Sequence, residues 1–173
     1  MIKIIGGKYR GRKLSQIPKT NVRPTQAVVR KSMFDILGSL EDFSVLDLYS
    51  GVGTLGIESM SRGARSLVCV EKDRVTYKVL NNNIDLICET DNILTYNMDV
   101  VNFLRFNENK FDLIIADPPY KDDVYNDLFK ASKTILNSDG ILCIEMKKKE
   151  IHDENIRIRR FGRTQLTFWR NKL

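Results

Sequence analysis

The 173-residue sequence predicts an α/β fold, in which a mostly parallel seven-stranded sheet carries helices on both faces and closes with an antiparallel hairpin. Two observations support this prediction. Short apolar runs alternate with amphipathic stretches of helical length over residues 44–146, and two runs of alternating polarity lie near the C-terminus. With 42% hydrophobic residues, the chain can bury a core as one domain.

Residues 1–40 are predicted to form a basic extension of a core that spans residues 41–173. Residues 2–14 have the pattern of a small hairpin that turns near Gly6 and Gly7. Behind Arg23 and Pro24, Thr25 is a suitable N-cap for a helix. The apolar positions of that helix share one face, which we expect to dock on the sheet: Val29, Met33, Ile36, Leu37 and Leu40.

The core alternates strand and helix. Five apolar runs are predicted as strands, at residues 44–49, 66–71, 93–98, 111–116 and 141–146. Helices are expected between them, at residues 54–62, 74–87, 100–106 and 124–136. Gly63 is suited to end the first helix, and Asp73 to cap the second. Residues 156–159 and 165–168 alternate in polarity around Gly162, which predicts the closing hairpin.

The net charge of +6 is unevenly distributed. Residues 1–34 contain nine Lys or Arg and no acid, residues 145–173 contain nine basic and four acidic side chains, and the middle is acidic. A cationic N-terminal arm with interleaved glycines can approach a phosphate backbone, as nucleic-acid-binding proteins do, although a solvated basic surface would look the same. The candidate RNA-binding residues are Lys8, Arg10, Arg12, Lys13, Arg23 and Arg30.

The cysteines and the single histidine indicate neither disulfides nor a metal site. Cys69, Cys88 and Cys143 are odd in number and embedded in apolar segments, so we expect reduced core residues. No CxxC pair is present, which excludes a thiolate zinc site, and His152 lies in a polar stretch typical of a solvated loop.

No apolar run approaches the roughly 18 residues that a membrane-spanning helix needs. The apolar stretch that follows Met1 is also too short for a signal peptide. We therefore expect a cytoplasmic protein that acts as a monomer and has no membrane partner.

A glycine-rich segment indicates a nucleoside cofactor. Gly51, Gly53 and Gly56 match the GxGxxG pattern between a predicted strand and helix, and Glu71 ends the next strand. In that context glycines let a cofactor approach the backbone, and the carboxylate accepts hydrogen bonds from ribose hydroxyls. A tight turn alone would also explain the glycines.

Asp47, on the strand that leads into this loop, indicates which nucleoside is bound. A carboxylate there repels the pyrophosphate of a nicotinamide dinucleotide, but attracts the sulfonium and ammonium groups of S-adenosylmethionine. S-adenosylmethionine is therefore the predicted cofactor. Asp99 could lie near its adenine or could cap the helix that starts at Val100, and Tyr49 could contact the ligand or pack.

The sequence Asp117-Pro118-Pro119-Tyr120 follows the fourth predicted strand. The prolines hold the backbone rigid, so that the Asp117 carboxylate and the Pro118 carbonyl can accept hydrogen bonds from an exocyclic base amine while the Tyr120 ring stacks on the base. This arrangement favours methyl transfer to that amine. A helix-capping turn is the alternative explanation.

The chain resembles the RsmD family of S-adenosylmethionine-dependent methyltransferases. The resemblance rests on the arm sequence GGKYRGRKL at residues 6–14, RPT at 23–25, DLYSGVG at 47–53, SRGA at 61–64, VEKD at 70–73 and DPPY at 117–120. DPPY alone is shared with adenine-N6 enzymes, and the arm joined to RPT makes the resemblance specific. One departure is that the family shows an acid two residues after RPT and Arg-Glu further into the helix, whereas this chain has Gln26-Ala27 and Arg30-Lys31.

The resemblance implies a Rossmann-like class I methyltransferase that modifies N2 of a guanine in 16S ribosomal RNA of the small ribosomal subunit or its assembly intermediate. The expected catalytic residues are Asp117, Pro118 and Tyr120. The expected cofactor-binding residues are Asp47, Tyr49, Ser50, Gly51, Gly53, Glu71, Lys72 and Asp99.

Three other functions remain open. They are an adenine-N6 DNA or RNA methyltransferase, a nicotinamide oxidoreductase and a noncatalytic RNA-binding assembly factor. Asp47 disfavours the oxidoreductase, and the intact glycines and DPPY sequence disfavour a protein without activity.

Overall fold

The computed structural model of the chain describes residues 2–17, 27–88, 92–119 and 124–172. The strands are β1 (Ile2–Lys3), β2 (Lys13–Leu14), β3 (Ser44–Leu48), β4 (Ser66–Val70), β5 (Asn92–Tyr96), β6 (Phe111–Ala116), β7 (Leu136–Lys147), β8 (Ile156–Phe161) and β9 (Thr164–Arg170). The helices are α1 (Ala27–Leu37), α2 (Thr54–Ser61), α3 (Arg74–Ile87), α4 (Val100–Phe106) and α5 (Val124–Ile135).

Seven strands form the main sheet in the order β5-β4-β3-β6-β7-β9-β8. β3 to β7 run parallel, whereas β9 is antiparallel to both β7 and β8. The predicted fold, with its C-terminal hairpin, is confirmed. We call the side of the sheet where the parallel strands end its carboxyl end, and the side where they begin its amino end.

The topological switch point of the sheet lies at the boundary between the neighbouring strands β3 and β6. β3 is followed outward by β4 and β5 on one side, while β6 is followed by β7 on the other. In open α/β sheets, ligands bind at the carboxyl end beside such a switch point. Because β3 and β6 are neighbouring parallel strands, the loops that follow them leave the sheet side by side, and the crevice between them stays a prediction.

Side chains alternate between the two faces of the sheet and fill two apolar cores. The first core joins Val45 and Leu113 of the sheet to α1, α2 and α3 through Met33, Ile57 and Leu80. The second joins Leu46 and Ile114 to α4 and α5 through Phe103 and Leu128. Within the described ranges, no helix is long and apolar enough to cross a membrane.

β7 begins five residues earlier than predicted, at Leu136 instead of residue 141. Leu136 pairs with Phe111, and the pairing resumes only at Leu113 and Ile141, so residues 137–140 form an irregularity within the strand. Asn137 stabilises it by donating from Nδ2 to Asp112 Oδ1 at 2.7 Å. The prediction missed this start because Asn-Ser-Asp-Gly has the composition of a turn.

The N-terminal arm is a hairpin, but its turn is longer than predicted. β1 pairs with β2 through Ile2 and Leu14, and the chain reverses between Ile4 and Arg12, where the Ile4 amide donates to the Arg12 carbonyl at 3.0 Å. Gly7 (φ 73°) lies within this turn and docks on α2, where a Cβ would overlap the Ser61 carbonyl oxygen.

Candidate functional site

Asp47 lies near the end of β3 with 1% of its surface exposed, and its Oδ2 accepts a hydrogen bond from the Gly56 amide at 2.8 Å. Burial, together with the smaller effects of the Asp117 and Glu71 charges, raises the pKa of Asp47 to about 8, although the hydrogen bond from the Gly56 amide lowers it. The carboxyl groups of Asp117 and Glu71, each at a strand end, therefore lie close enough to act on Asp47. Such a crowded acidic pocket favours a cation over a phosphate.

The loop after β3 has an unusual backbone. Tyr49 has φ 62°, a left-handed conformation that costs a non-glycine residue free energy and that is found preferentially at functional sites. Gly53, at φ 90°, lies against α3, where a Cβ would come within 2.7 Å of Leu80 Cδ1. Glycine at this position lets the loop close down on the helix.

Ser50 holds this loop to the sheet. Its Oγ donates to the Asp47 carbonyl at 2.7 Å and accepts from the Val70 amide at 3.0 Å, so the hydroxyl joins the ends of β3 and β4. Ser50 is 7% exposed. The Ser50 hydroxyl thus binds backbone groups, and contact of Ser50 with the cofactor stays a prediction.

Glu71, the first residue after β4, accepts backbone hydrogen bonds with both carboxylate oxygens. Oε2 accepts from the Gly51 amide at 3.0 Å, and Oε1 accepts from the Asp73 amide at 2.8 Å. Because each oxygen has a second lone pair, Glu71 can still accept from ribose hydroxyls. Asn97, which the sequence analysis did not single out, donates from Nδ2 to the Glu71 and Lys72 carbonyls at 2.9 and 3.1 Å.

Three further residues were predicted to bind the cofactor: Tyr49 in the loop after β3, Lys72 after β4 and Asp99 after β5. Asp99 caps α4 by accepting from the Val101 amide at 2.9 Å, which confirms the capping alternative, and its Oδ2 lies 3.8 Å from Lys72 Nζ. Burial, followed by the Asp99 charge, raises the pKa of Tyr49 to about 12. Contact of these three residues with a cofactor stays a prediction.

Asp117 follows β6 directly and is half-buried, with Pro118 buried and Pro119 exposed behind it. Ala116, the last residue of β6, pairs with Leu48 of β3 and with Ile144 of β7, so Asp117 emerges between the two strands. Its charge raises the pKa of Asp47, which indicates that the loops after β3 and β6 share one space. Tyr120 lies outside the described residues.

Glu145 is a buried acid of the site that sequence reasoning missed. It is 5% exposed on β7. Burial raises the pKa of the neighbouring Cys143 thiol, and the charges of Glu145 and Asp117 add to this effect. The signal was available, since Glu145 is the one charged residue within the apolar run 141–146.

The predicted RNA-binding residues divide by location. Lys8, Arg10, Arg12 and Lys13 are exposed, and Arg23 lies outside the described residues. Arg30 was predicted wrongly as a surface contact. It is 3% exposed, burial lowers its pKa, and its Nη2 donates to the Lys3 carbonyl at 2.7 Å. Arg30 thus fixes the arm to α1.

The turn of the arm docks at the amino end of the sheet. The Lys8 and Tyr9 amides donate to the Ser61 carbonyl and Oγ, at 2.7 and 2.9 Å, where α2 ends. Arg12 Nη2 donates to the Leu86 carbonyl at 3.0 Å, near the end of α3. Since α2 rises about 12 Å over its length, the turn is well separated from the glycine loop.

Glu58 explains why the arm holds this position. This side chain of α2 is fully buried, and it accepts from the Ile5 and Gly6 amides at 2.7 and 2.9 Å and from Arg62 Nε at 2.8 Å. Gly6 and Gly7 were expected to let the arm approach a phosphate backbone. Their contacts are with α2 instead.

The three cysteines are free and buried, as predicted. Among the residues that the structure describes, no group of His, Cys, Asp and Glu is arranged to hold a metal ion.

Comparisons with known proteins agree with this geometry. The model of a family described as "Conserved hypothetical protein 95" matches residues 2–170. The chain is 31% identical to ribosomal RNA small subunit methyltransferase D of Escherichia coli, over 83% of this chain and 71% of the relative. It is 30% identical to the protein of the same name in Buchnera aphidicola, over 86% and 80%.

A shorter match is to the tRNA1(Val) (adenine(37)-N6)-methyltransferase of Pasteurella multocida, 32% identical over 49% of this chain and 38% of the relative. Among solved structures, "Putative methyltransferase yhhF" from Escherichia coli superimposes with a TM-score of 0.86 at 25% identity, over 99% and 98% of the two chains. A methyltransferase structure complexed with SAH shares the fold at a TM-score of 0.65 and 16% identity, over 83% of this chain and 48% of the other. The fold is that of class I methyltransferases.

Proposed function

The chain belongs to the family described as Conserved hypothetical protein 95, and from that premise we propose that it methylates the exocyclic N2 of a guanine in 16S ribosomal RNA. S-adenosylmethionine is the methyl donor. The substrate is the small ribosomal subunit or an assembly intermediate, on which the protein acts as a monomer in the cytoplasm.

One observation supports this proposal above the others. Asp117 follows β6 at the switch point, and its charge reaches Asp47 below the glycine loop. A carboxylate that binds an amine thus lies beside a pocket that binds a cationic nucleoside. Methyl transfer from a sulfonium to an amine needs these two sites to be adjacent.

The residues present fit this cofactor. Glu71 can accept from ribose hydroxyls while it keeps the Gly51 amide in place. The acidic pocket formed by Asp47 and Glu71, beside Asp117, suits a ligand with sulfonium and ammonium groups, and it would repel a pyrophosphate. When bound, S-adenosylmethionine supplies an electrophilic methyl group.

The Asp117 carboxylate and the Pro118 carbonyl bind the exocyclic amine of the base. The lone pair of an exocyclic guanine amine is delocalised into the ring, so the nitrogen is a poor nucleophile. Two acceptors that bind its hydrogens orient the nitrogen toward the methyl carbon and favour a pyramidal geometry. The amine would carry a surplus proton once it is methylated, and the Asp117 carboxylate would accept this proton and release it to solvent.

Methylation of adenine N6 is a second candidate function. It is favoured by the match to an adenine-N6 tRNA methyltransferase and by a DPPY sequence that adenine enzymes share. The same acceptors would hold an adenine amine equally well, so only the product distinguishes the two.

The deciding experiment is a methylation assay with identified products. Small ribosomal subunits and protein-free 16S RNA, both without the modification, are incubated with labelled S-adenosylmethionine, and the digested nucleosides are analysed by mass spectrometry. We expect label in N2-methylguanosine. Label in N6-methyladenosine would replace the proposal by the second candidate, and unlabelled RNA on both substrates would refute both.

A further inference from the structure

A second basic region, besides the arm, is the C-terminal part of the sheet. Its basic side chains form one group at the carboxyl end of the sheet and another at the amino end. Lys147 ends β7 opposite Thr164, the Lys148 amide donates to the Arg163 carbonyl at 3.3 Å, and all three basic side chains are exposed. With Lys149 they form the group that we call the carboxyl-end cluster: Lys147, Lys148, Lys149 and Arg163.

The carboxyl-end cluster lies beside Asp117. β7 is hydrogen-bonded to β6, about 4.8 Å away, and Lys147 lies three residues beyond Ile144, the partner of the last β6 residue. This offset corresponds to about 10 Å along the strand. Asp117 thus has the acidic cofactor pocket on its β3 side and the basic cluster on its β7 side.

Three cations of the cluster, Lys148, Lys149 and Arg163, are not neutralised by an ion pair with the described residues. The ion pairs found among the described residues include those of Lys31 with Asp35, Arg62 with Glu58, Arg65 with Asp112, and Lys72 with Asp99. Lys148, Lys149 and Arg163 take part in none of these, and exposed Glu150 is the acid next to them in sequence. Their charges are available to a polyanion.

In its docked position, the N-terminal arm cannot bring its cations beside Asp117. Its exposed cations Lys8, Arg10 and Arg12 lie where α2 and α3 end, at the amino end of the sheet. An RNA strand whose base reaches Asp117 must pass over the carboxyl end of the sheet. The phosphates next to that base then come closest to the carboxyl-end cluster.

We propose that the carboxyl-end cluster binds the RNA phosphates adjacent to the target base, on the side of Asp117 away from the cofactor. This inference rests on the proposed function, because it takes the nucleic acid as substrate. Lys and Arg at this position neutralise phosphates and release counterions, without reading the base sequence. They position the strand, and Asp117 receives the base.

The hairpin itself provides a matched control. Arg157, Arg170 and Lys172 are exposed at the amino end, where Ile141 pairs with Arg170 and Ile156 pairs with Trp169. The run from Ile141 to Lys147 separates the two ends by about 20 Å. Replacing three cations at either end changes the net charge equally.

The test compares Lys148→Ala/Lys149→Ala/Arg163→Ala with Arg157→Ala/Arg170→Ala/Lys172→Ala, and omits Lys147. RNA affinity is measured across a salt titration, together with KM and kcat for the ribosomal substrate and affinity for S-adenosylhomocysteine. For the cluster variant we expect about ten-fold weaker binding, a higher KM and a salt slope reduced by about two. The control should differ from wild type by less than two-fold, and S-adenosylhomocysteine affinity should be unchanged in both.

The charge-preserving variant Lys148→Arg/Lys149→Arg/Arg163→Lys should restore the wild-type slope, which separates a charge effect from a folding defect. Wild-type affinity and slope in the alanine cluster variant would overturn the inference, as would equal losses in the cluster and control variants. The proposed function is decided separately by the methylated nucleoside. A wild-type enzyme that labels adenine refutes that function, while the binding comparison still decides the role of this surface.

Discussion

The two ends of one sheet are built for different tasks. At the amino end, Glu58 and Ser61 take up the backbone amides of the arm, so polar groups there are paired within the protein. At the carboxyl end, the charges of Asp117 and Glu71 act on the buried carboxyl group of Asp47, and Tyr49 adopts a left-handed backbone. The contacts of the docked arm stabilise the fold, whereas the acids and the left-handed backbone at the ligand site destabilise it. Such a division between scaffold and functional site is usual.

The largest effect should follow from Asp117→Ala. Without the acceptor, the amine is neither oriented nor relieved of its proton, so we expect kcat to fall by about 100-fold or more. S-adenosylhomocysteine affinity, measured by calorimetry, should stay within two-fold of wild type. Asp127→Ala, which removes an exposed acid from α5, serves as the control. Near-normal turnover in Asp117→Ala would refute its catalytic role.

A pair of glycine substitutions tests the amino end. Gly7→Ala puts a Cβ into the Ser61 carbonyl, whereas Gly11→Ala, at a similar φ of 85°, meets no atom within 4 Å. We expect Gly11→Ala to lower the free energy of unfolding by about 1 kcal/mol from backbone strain alone, and Gly7→Ala by about 3 kcal/mol or more. Chemical denaturation measures both. Equal losses would show that the arm is not held as described.

The pH dependence of stability tests the acidic pocket. Burial is the main cause that raises the pKa of Asp47 from its ordinary value of 3.8 to about 8 in the folded protein. The folded state therefore binds the proton more tightly, and the stabilisation associated with it is complete below about pH 4 and is lost as the pH rises to about 8. Asp47→Asn keeps an oxygen acceptor for the Gly56 amide and does not titrate.

The measured quantity is the difference in unfolding free energy between wild type and Asp47→Asn. We expect the wild type to lose stability relative to the variant between pH 4 and pH 8, with a constant difference above pH 8. A difference that does not change with pH would mean that Asp47 is ionised throughout the range.

The smallest effect is expected from the arm. Arg10→Ala/Arg12→Ala/Lys13→Ala removes exposed cations near the amino end and should weaken RNA binding and flatten its salt dependence. The change should be smaller than that caused by the carboxyl-end cluster variant, because the docked turn lies far from Asp117. An arm variant that loses more affinity than the cluster variant would reverse the comparison.

The sequence predicted the fold well, since its signals are local. Alternating apolar runs located the strands, and Asp73 and Asp99 were suited to the caps that they form. The prediction missed the start of β7 because residues 137–140 have the composition of a turn, whereas the pairing of Leu136 with Phe111 before them begins the strand.

The candidate site was predicted only in part. Motif spacing brought Asp47, Glu71 and Asp117 to one end of the sheet, as found. The burial of Arg30 and the docking of Gly6 and Gly7 depend on Glu58 and Ser61, which lie more than 25 residues away along the chain. Charge counts along a sequence do not reveal such pairings, so a basic residue that anchors the arm looked the same as one available to RNA.

β8 is the outermost strand on one side of the sheet, next to β9. Arg157, Arg159 and Arg160 are exposed along it, while Ile156 and Ile158 are partly covered. If β8 of another molecule joined its unpaired backbone groups, guanidinium groups would be stacked side by side, and their repulsion opposes that contact. The last strand of the sheet is thereby protected against the edge-to-edge aggregation to which exposed strands are prone.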